Sequence, residues 1–302
     1  MARNGVVARQ AIVTGFLIGG VYGLVALGLT LIFGVMEIIN FAHGALLTIG
    51  IYLSFVMFDR YGVDPYLSIF ITIPALFLAG VIIHWLVIHP ARNAPAHNQL
   101  LLTLGLALFL ENLILVAFTA TPRSVRLDYG RGLTRIGPFA IDFPIRIWGT
   151  TITLPKLAAF VFAVILTILL YLLLTRTDLG RAIRATAQDK EGARLVGINI
   201  DRINTITFGL GTACVGAAAA LVLPFLTVEP LVGNTFNITA FVIVVLGGMG
   251  SVPGALLGGL VIGLTQELGV VFAPSSTKLL GVFLVFILVL MFRPQGLLGK
   301  KK

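Results

Sequence analysis

Residues 176–202, RTDLGRAIRATAQDKEGARLVGINIDR, hold six Lys/Arg and four Asp/Glu, and the sequence on either side of them is almost uncharged. This island of charge separates two hydrophobic blocks, each long enough to enter a bilayer several times. The island is rich in helix formers and headed by basic residues, so it predicts a short helical loop on the cytoplasmic side that serves as a docking surface. A solvated helix held near anionic headgroups is the alternative reading.

Outward from the island the chain is 58% hydrophobic and only 11% charged, with a mean hydropathy of +1.05. Soluble domains carry about a quarter charged residues, which excludes an ordinary soluble fold. A helix crossing roughly 30 Å of hydrocarbon needs about 20 mostly apolar residues. The windows are Ala11 to Phe33, Ile38 to Phe58, Tyr66 to Ile88, Leu100 to Ala120, Lys156 to Leu174, Ile203 to Val228, a long stretch Asn237 to Phe272 cut by LGGMGSVPG, and Leu279 to Phe292. The expected fold is therefore all-α, a polytopic membrane protein with about eight transmembrane helices, some broken or re-entrant. The formal charge of +9 would suggest nucleic acid in a soluble protein. Here the positive residues flank apolar windows and face anionic lipid, so no nucleic-acid partner is expected. The single cysteine, Cys214, lies in an apolar window and reads as packing. The first apolar run is too long for a cleaved leader and is expected to be a retained span.

The chain reads as one transmembrane domain, 1–302. It divides into N-terminal helices (1–120), a polar, external segment (121–155), a span (156–175), the cytoplasmic loop (176–202) and C-terminal helices (203–302). Lys/Arg in the 176–202 loop, in the turn His89 to Pro95 and at Lys300 to Lys302 all point to the cytoplasm. Counting back by alternate crossings puts 121–155 outside although it carries five arginines, and puts the N-terminus outside despite Arg3 and Arg9. A broken or re-entrant element over Val35 to Phe58, in place of a full crossing, would remove the N-terminal conflict. Glycines at small-xxx-small spacing, among them Gly15, Gly19 and Gly23, Gly254 and Gly258, and Gly259 and Gly263, predict helix backbones in close approach.

Two interruptions are candidates for a pathway. The first, GVMEIINFAHG at Gly34 to Gly44, places Glu37, Asn40, Phe41, His43 and Gly44 between apolar windows. An ionisable group there costs on the order of 3 kcal/mol. An interrupted helix whose polar groups face a water-filled path accounts for them; an interfacial turn is the alternative. The second, LGGMGSVPGA at Leu246 to Ala255, places Gly247, Gly248, Gly250 and Ser251 where proline and glycine break a helix. One interruption per half is the pattern of internal repeats with a path between them. Glu111 beside Asn112, and Glu267 after Gln266, are acids within or near spans and read equally as functional groups or as hydrogen-bonded interhelical acids.

Four segments carry a resemblance. YGLVALGLTLIFGVMEIINFAHG at Tyr22 to Gly44, GRAIRATAQDKEGARLVGIN at Gly180 to Asn199, VLGGMGSVPGALLGG at Val245 to Gly259 and RPQGLLG at Arg293 to Gly299 resemble the LivH-type permease subunits of branched-chain amino acid ABC importers, over nearly the whole chain. The resemblance implies a bacterial inner-membrane, multi-pass permease. It also implies a second, LivM-like or homologous permease subunit, two cytoplasmic ATP-binding subunits and an extracytoplasmic solute-binding protein. Permeases of such importers offer the ATPase a cytoplasmic helix with an EAA pattern followed by glycine after three further residues. Glu191, Gly192, Ala193 and Gly197 match that spacing, with Gly192 in place of the middle alanine and without the usual hydrophobic-then-proline continuation. The implied ATPase-coupling segment comprises Asp189, Glu191, Gly192, Ala193, Leu195 and Gly197. Relatives with similar motifs import leucine, isoleucine and valine, or urea and short amides.

The chain has no GxxxxGK[ST] phosphate loop, so ATP hydrolysis is expected in separate subunits. No catalytic residue, metal site or cofactor is expected. Two other classes remain: an ion-coupled secondary transporter relaying through Glu37, Glu111 and Glu267, and an intramembrane hydrolase pairing Ser251 with His43.

Overall fold

The computed structural model describes residues 2–125, 132–136, 139–143, 145–147, 150–272, 278–293 and 295–299. Helix α1 (Ala2–Met36) is followed by a non-helical stretch, 37–42, and by α2 (His43–Tyr61). Helix α3 (Pro65–Ile83) runs on through a π-helical turn, His84–Ile88, and α4 spans Ala96–Phe118. Then come α5 (Leu154–Arg176), the short α6 (Asp178–Gln188) and α7 (Lys190–Leu195), α8 (Ile200–Val222), α9 (Val232–Gly247), α10 (Val252–Phe272) and α11 (Lys278–Phe292). Within the polar segment, β1 (Gly132–Ile136) pairs antiparallel with β2 (Phe139–Phe143), and β3 (Ile145–Ile147) with β4 (Thr150–Ile152). These two small hairpins are the departure from a purely helical expectation.

Among the described residues six helical segments are long and apolar enough to cross a membrane: Val6–Met36, Pro65–Ile88, Ala96–Phe118, Leu154–Arg176, Ile200–Phe225 and Val252–Val271. Two more apolar helices, Val232–Gly247 and Lys278–Phe292, are shorter. Burial separates centre from rim. The most apolar windows of α1 and α8 are 78% and 83% buried, against 22% for α4 and 28% for α3 and α5, so α1 and α8 form the core and α3, α4 and α5 lie at the rim.

Helix α1 lies against α10 along its small residues. A Cβ on Gly15 would sit 2.7 Å from the carbonyl oxygen of Gly263, and one on Gly19 2.8 Å from that of Gly259. In lipid, apolar burial does not drive helices together, so contact at backbone distance supplies the attraction. The same device joins α8 to α3. A Cβ on Gly216 would meet Leu76 Cβ at 3.0 Å, and Thr212 Oγ1 donates to the Leu76 carbonyl at 2.8 Å. At the centre α1 crosses α8 where Gly28 and Gly211 each leave no room for a side chain beside the other's carbonyl.

These pairings relate α1–α3 to α8–α10 as an inverted repeat. Each half consists of a long buried helix, a non-helical stretch, a helix that starts at mid-depth, and a helix that returns to pack on the other half's long helix. The halves run in opposite directions. Contacts place the C-terminal end of α1, the loop after α3, α7, the start of α8 and the turn after α9 on one face. Lys190 Nζ lies 3.4 Å from Glu37 Oε2, and Arg92 Nη1 lies 2.6 Å from Asp201 Oδ1. On the opposite face Gln10 exchanges two hydrogen bonds with the Thr151 backbone, at 2.9 and 2.6 Å. The N-terminal end of α1 therefore shares a face with the polar segment, as the crossing count expects. Helix α2 leaves toward that same face, where Tyr66, just beyond it, donates to the Pro155 carbonyl. The chain is broken at 37–42, but α2 carries it on to that face, so the conflict with the arginine rule stands.

Candidate functional site

Helix α1 ends at Glu37, whose φ of 62° puts a non-glycine residue in the left-handed region while its N–H bonds the Phe33 carbonyl at 2.9 Å. The chain then turns inward. His43 Nε2 reaches the Val25 carbonyl at 2.9 Å, eleven residues before the end of α1 (36 − 25), or about 16 Å at 1.5 Å per residue. Asn40, Ala42 and His43 have no exposed surface. Irregular backbone at this depth needs partners, and side chains supply them. Asn40 Oδ1 accepts from Ala42 N at 3.1 Å, Thr103 Oγ1 donates to the Ile39 carbonyl at 2.9 Å, and Asn237 Nδ2 donates to the Phe41 carbonyl at 2.9 Å.

Asn237 belongs to α9, which also begins inside the protein. Gly233 N–H donates to Thr48 Oγ1 at 3.1 Å, and the backbones of Gly44 and Gly233 touch. Two helix N-termini, those of α2 and α9, therefore lie side by side at mid-depth, each beside the second turn of the other helix. Around it Asn40 Nδ2, His43 Nδ1 and Asn237 Oδ1 are enclosed and have no hydrogen-bond partner among the described residues. Phe41 packs on Phe241 with ring centroids 5.1 Å apart. The place brings donors, acceptors and apolar rings together inside the protein.

Glu37 is not part of it, being exposed on the α7 face and paired with Lys190. Gly247, Gly248, Gly250 and Ser251 are not there either. Gly248 and Gly250 have φ of 99° and 83° and form a tight reversal from α9 into α10. A Cβ on Gly34, near the end of α1, would lie 2.7 Å from the Gly250 Cα, and Leu297 N donates to the Leu246 carbonyl at 2.7 Å. The reversal thus lies at the α7 face. In the repeat, the counterpart of 37–42 is the stretch 226–231, between α8 and α9. Sequence reasoning passed over 226–231 because it contains neither a glycine nor a run of polar residues.

The charged island folds as two short helices. Asp189 Oδ1 accepts from Glu191 N at 3.0 Å and caps α7, and a Cβ on Gly192 would stand 2.6 Å from Asp189 Oδ2. The glycine in the position of the middle alanine leaves room for the capping carboxylate. Ala193 is buried. Gly197, with φ of 86°, donates to the Arg194 carbonyl and Ile198 to that of Ala193, both at 3.0 Å, which closes the helix in a Schellman motif. Leu195 and Val196 stand 88% and 76% exposed at its tip. Asp189→Ala should cost the cap about 1 kcal/mol. Hydrogen exchange at the Glu191 to Arg194 amides should then quicken about fivefold; unchanged exchange would contradict the capping role.

Beside α7 lies a cavity of about 360 Å³ that no sequence pattern marked. It is walled by five segments spread between Met36 and Asn204, so its signal is dispersed along the chain. Glu37, Glu111 and Glu267 sit on three separate elements; Glu37 pairs with Lys190 and Glu267 lies 3.6 Å from Lys278, and among the described residues no hydrogen bond joins any two of the three acids. Ser251 Oγ accepts from Gly254 N at 3.1 Å as the cap of α10, while His43 is held by Val25, and the two are not paired. Among the described residues no group of three or more His, Cys, Asp or Glu could hold a metal ion.

Residues 11–292 match the family described as branched-chain amino acid transport system / permease component. The chain is 31% identical over 300 residues to the high-affinity branched-chain amino acid transport system permease protein BraD of Pseudomonas aeruginosa, covering 96% of this chain and 95% of that protein. It is also 31% identical over 304 residues to LivH of Escherichia coli K12, with the same coverage of 96% and 95%. With LivM of Escherichia coli K12 it shares 26% over 296 residues, 92% of this chain and 68% of LivM. No solved structure matches it. The helices fit for crossing a membrane and the extent of these matches agree: this is a multi-pass transport permease rather than an enzyme, and the chain belongs to the branched-chain amino acid transport system permease component family.

Proposed function

We propose that the chain forms half of the translocation path of an ATP-binding cassette importer for branched-chain amino acids in a bacterial inner membrane. The observation that carries this reading is the meeting of the α2 and α9 N-termini at mid-depth beside the enclosed, unpartnered polar atoms of Asn40, His43 and Asn237. Helix N-termini attract a carboxylate, and the rings of Phe41 and Phe241 accept an aliphatic side chain. The other half of the path comes from a second, LivM-like permease. Two ATP-binding subunits grip α7 from the cytoplasm, where Leu195 and Val196 stand free of the chain's own packing. A solute-binding protein delivers the amino acid to the opposite face.

The test is uptake of radiolabelled L-leucine by cells that produce the chain with its permease, ATP-binding and binding-protein partners, with isoleucine, valine and urea as competitors. Competition by isoleucine and valine, with uptake lost when the ATP-binding subunits are omitted, is expected. Uptake that persists without those subunits and collapses with an ionophore, or that urea but not valine suppresses, would sink the reading.

A further inference from the structure

The cavity on the α7 face lies outside the crossing of α2 and α9, and its lining divides by chemistry. Lys190 and Arg194 line it from α7, and Arg92 from the loop before α4. Arg92 is shared with Asp201 at 2.6 Å and Lys190 with Glu37 at 3.4 Å, while Arg194 has no ion-pair partner among the described residues, so positive charge is left over. On α8 the carboxylate of Asp201 and the side chain of Asn204 stand together, and Asn204 Oδ1 is enclosed without a hydrogen-bond partner among the described residues. A buried acceptor without a donor costs about 1–3 kcal/mol, and a ligand that donates would relieve that cost. Met36, Ile38 and Ile200 give the remaining wall an apolar surface.

The walls are held in place. Gln99 Nε2 shares its two hydrogens among the carbonyls of Ala91, Arg92 and Ala94, at 3.2, 3.2 and 3.0 Å, which fixes the loop carrying Arg92. His84, in the π-helical turn, meets Thr205 Oγ1 at 3.0 Å. The volume of about 360 Å³ falls in the range of small-molecule sites.

We infer that this cavity is a second amino-acid site, open to the α7 face, that takes an aliphatic α-amino acid. Its carboxylate meets Lys190 and Arg194, its ammonium meets Asp201 and Asn204, and its side chain lies on Met36, Ile38 and Ile200. The site deepens the proposed function and rests on it for the choice of amino acid. An occupant ties α7 to the first turn of α8 and to the end of α1, so solute accumulated on this face acts directly on the segment that the ATP-binding subunits grip. A bare anion would satisfy the cations and leave Asn204 Oδ1 without a donor. An amine without a carboxylate would leave Arg194 unused.

The experiment is equilibrium binding of radiolabelled L-leucine to the full chain in lipid nanodiscs, with leucinamide, 4-methylpentanoate and inorganic phosphate as competitors. Saturable binding is expected, weakened about tenfold or more by Asn204→Leu. Leucinamide and 4-methylpentanoate, which each lack one charged end, should compete at least about tenfold more weakly than leucine. Asn93→Trp, on the exposed rim of the cavity, gives a second block should Asn204→Leu fail to fold. Absence of saturable binding, binding untouched by the substitutions, or displacement by phosphate or leucinamide as effective as by leucine would overturn the inference. Leucine uptake by the complete transporter is measured alongside: its persistence with no cavity binding removes only this site, whereas its absence removes the function on which the site rests.

Discussion

A chain carrying Gly44→Leu should lose its folded state in the membrane. A Cβ alone at this position would lie 2.7 Å from Asn237 Cβ and 2.9 Å from the Gly233 carbonyl carbon, nearer than real Cβ atoms approach anything. Neither neighbour can yield. Gly233 is backbone at the start of α9, and Asn237 is held by its bond to the Phe41 carbonyl. Overpacking of a core costs about 1–3 kcal/mol where side chains can shift, and here α2 and α9 must separate, so the loss should exceed about 3 kcal/mol. The measurement is the thermal midpoint of the detergent-solubilised chain. Gly105→Leu is the matched control, because a Cβ on Gly105, in α4, meets nothing within 4 Å. Equal midpoints for the two variants would show that the close approach of α2 and α9 contributes nothing.

The second large effect is expected at α7. Replacing Leu195 and Val196 together by aspartate should abolish amino-acid uptake and detach the ATP-binding subunits while leaving the chain folded. At 88% and 76% exposure these side chains contribute little to the chain's own packing, so their removal costs the fold little. Apolar anchors at the centre of an interface are worth about 2 kcal/mol or more each. Two carboxylates in that place lower the affinity by about a thousandfold or more. Co-purification of the ATP-binding subunits with the variant reads this directly. Retention at the wild-type level, with uptake unchanged, would remove α7 from the docking surface.

The spans were legible because hydrophobic thickness sets a minimum run of apolar residues, and α1, α3, α4, α5, α8 and α10 meet it. The break at Asn40 to Gly44 was legible for the same reason: a glutamate, an asparagine and a histidine between two apolar runs leave little room for an ordinary loop. The reversal at Gly247 to Gly254 was legible as a helix break and not in its depth, because glycine and proline announce that a helix stops without saying where in the bilayer it stops. The stretch 226–231 escaped notice since α9 is only 16 residues long and its start is set by tertiary contact with Gly44 and Thr48. Asn237, two positions from Thr235 and from Thr239, becomes a partner of Phe41 only through the fold. The cavity lining was illegible on the same ground.

The inverted pairing has a mechanical corollary. Helix α1 with α10 and α8 with α3 are joined at backbone distance, so each pair bends less readily than it pivots. The two stiff beams cross where Gly28 and Gly211 leave no side chain between them, and rotation there displaces the fewest atoms. A turn about such a rivet carries the ends of the beams on one face one way and those on the other face the opposite way, so a joint of two glycines ties the geometry of one side of the chain to that of the other.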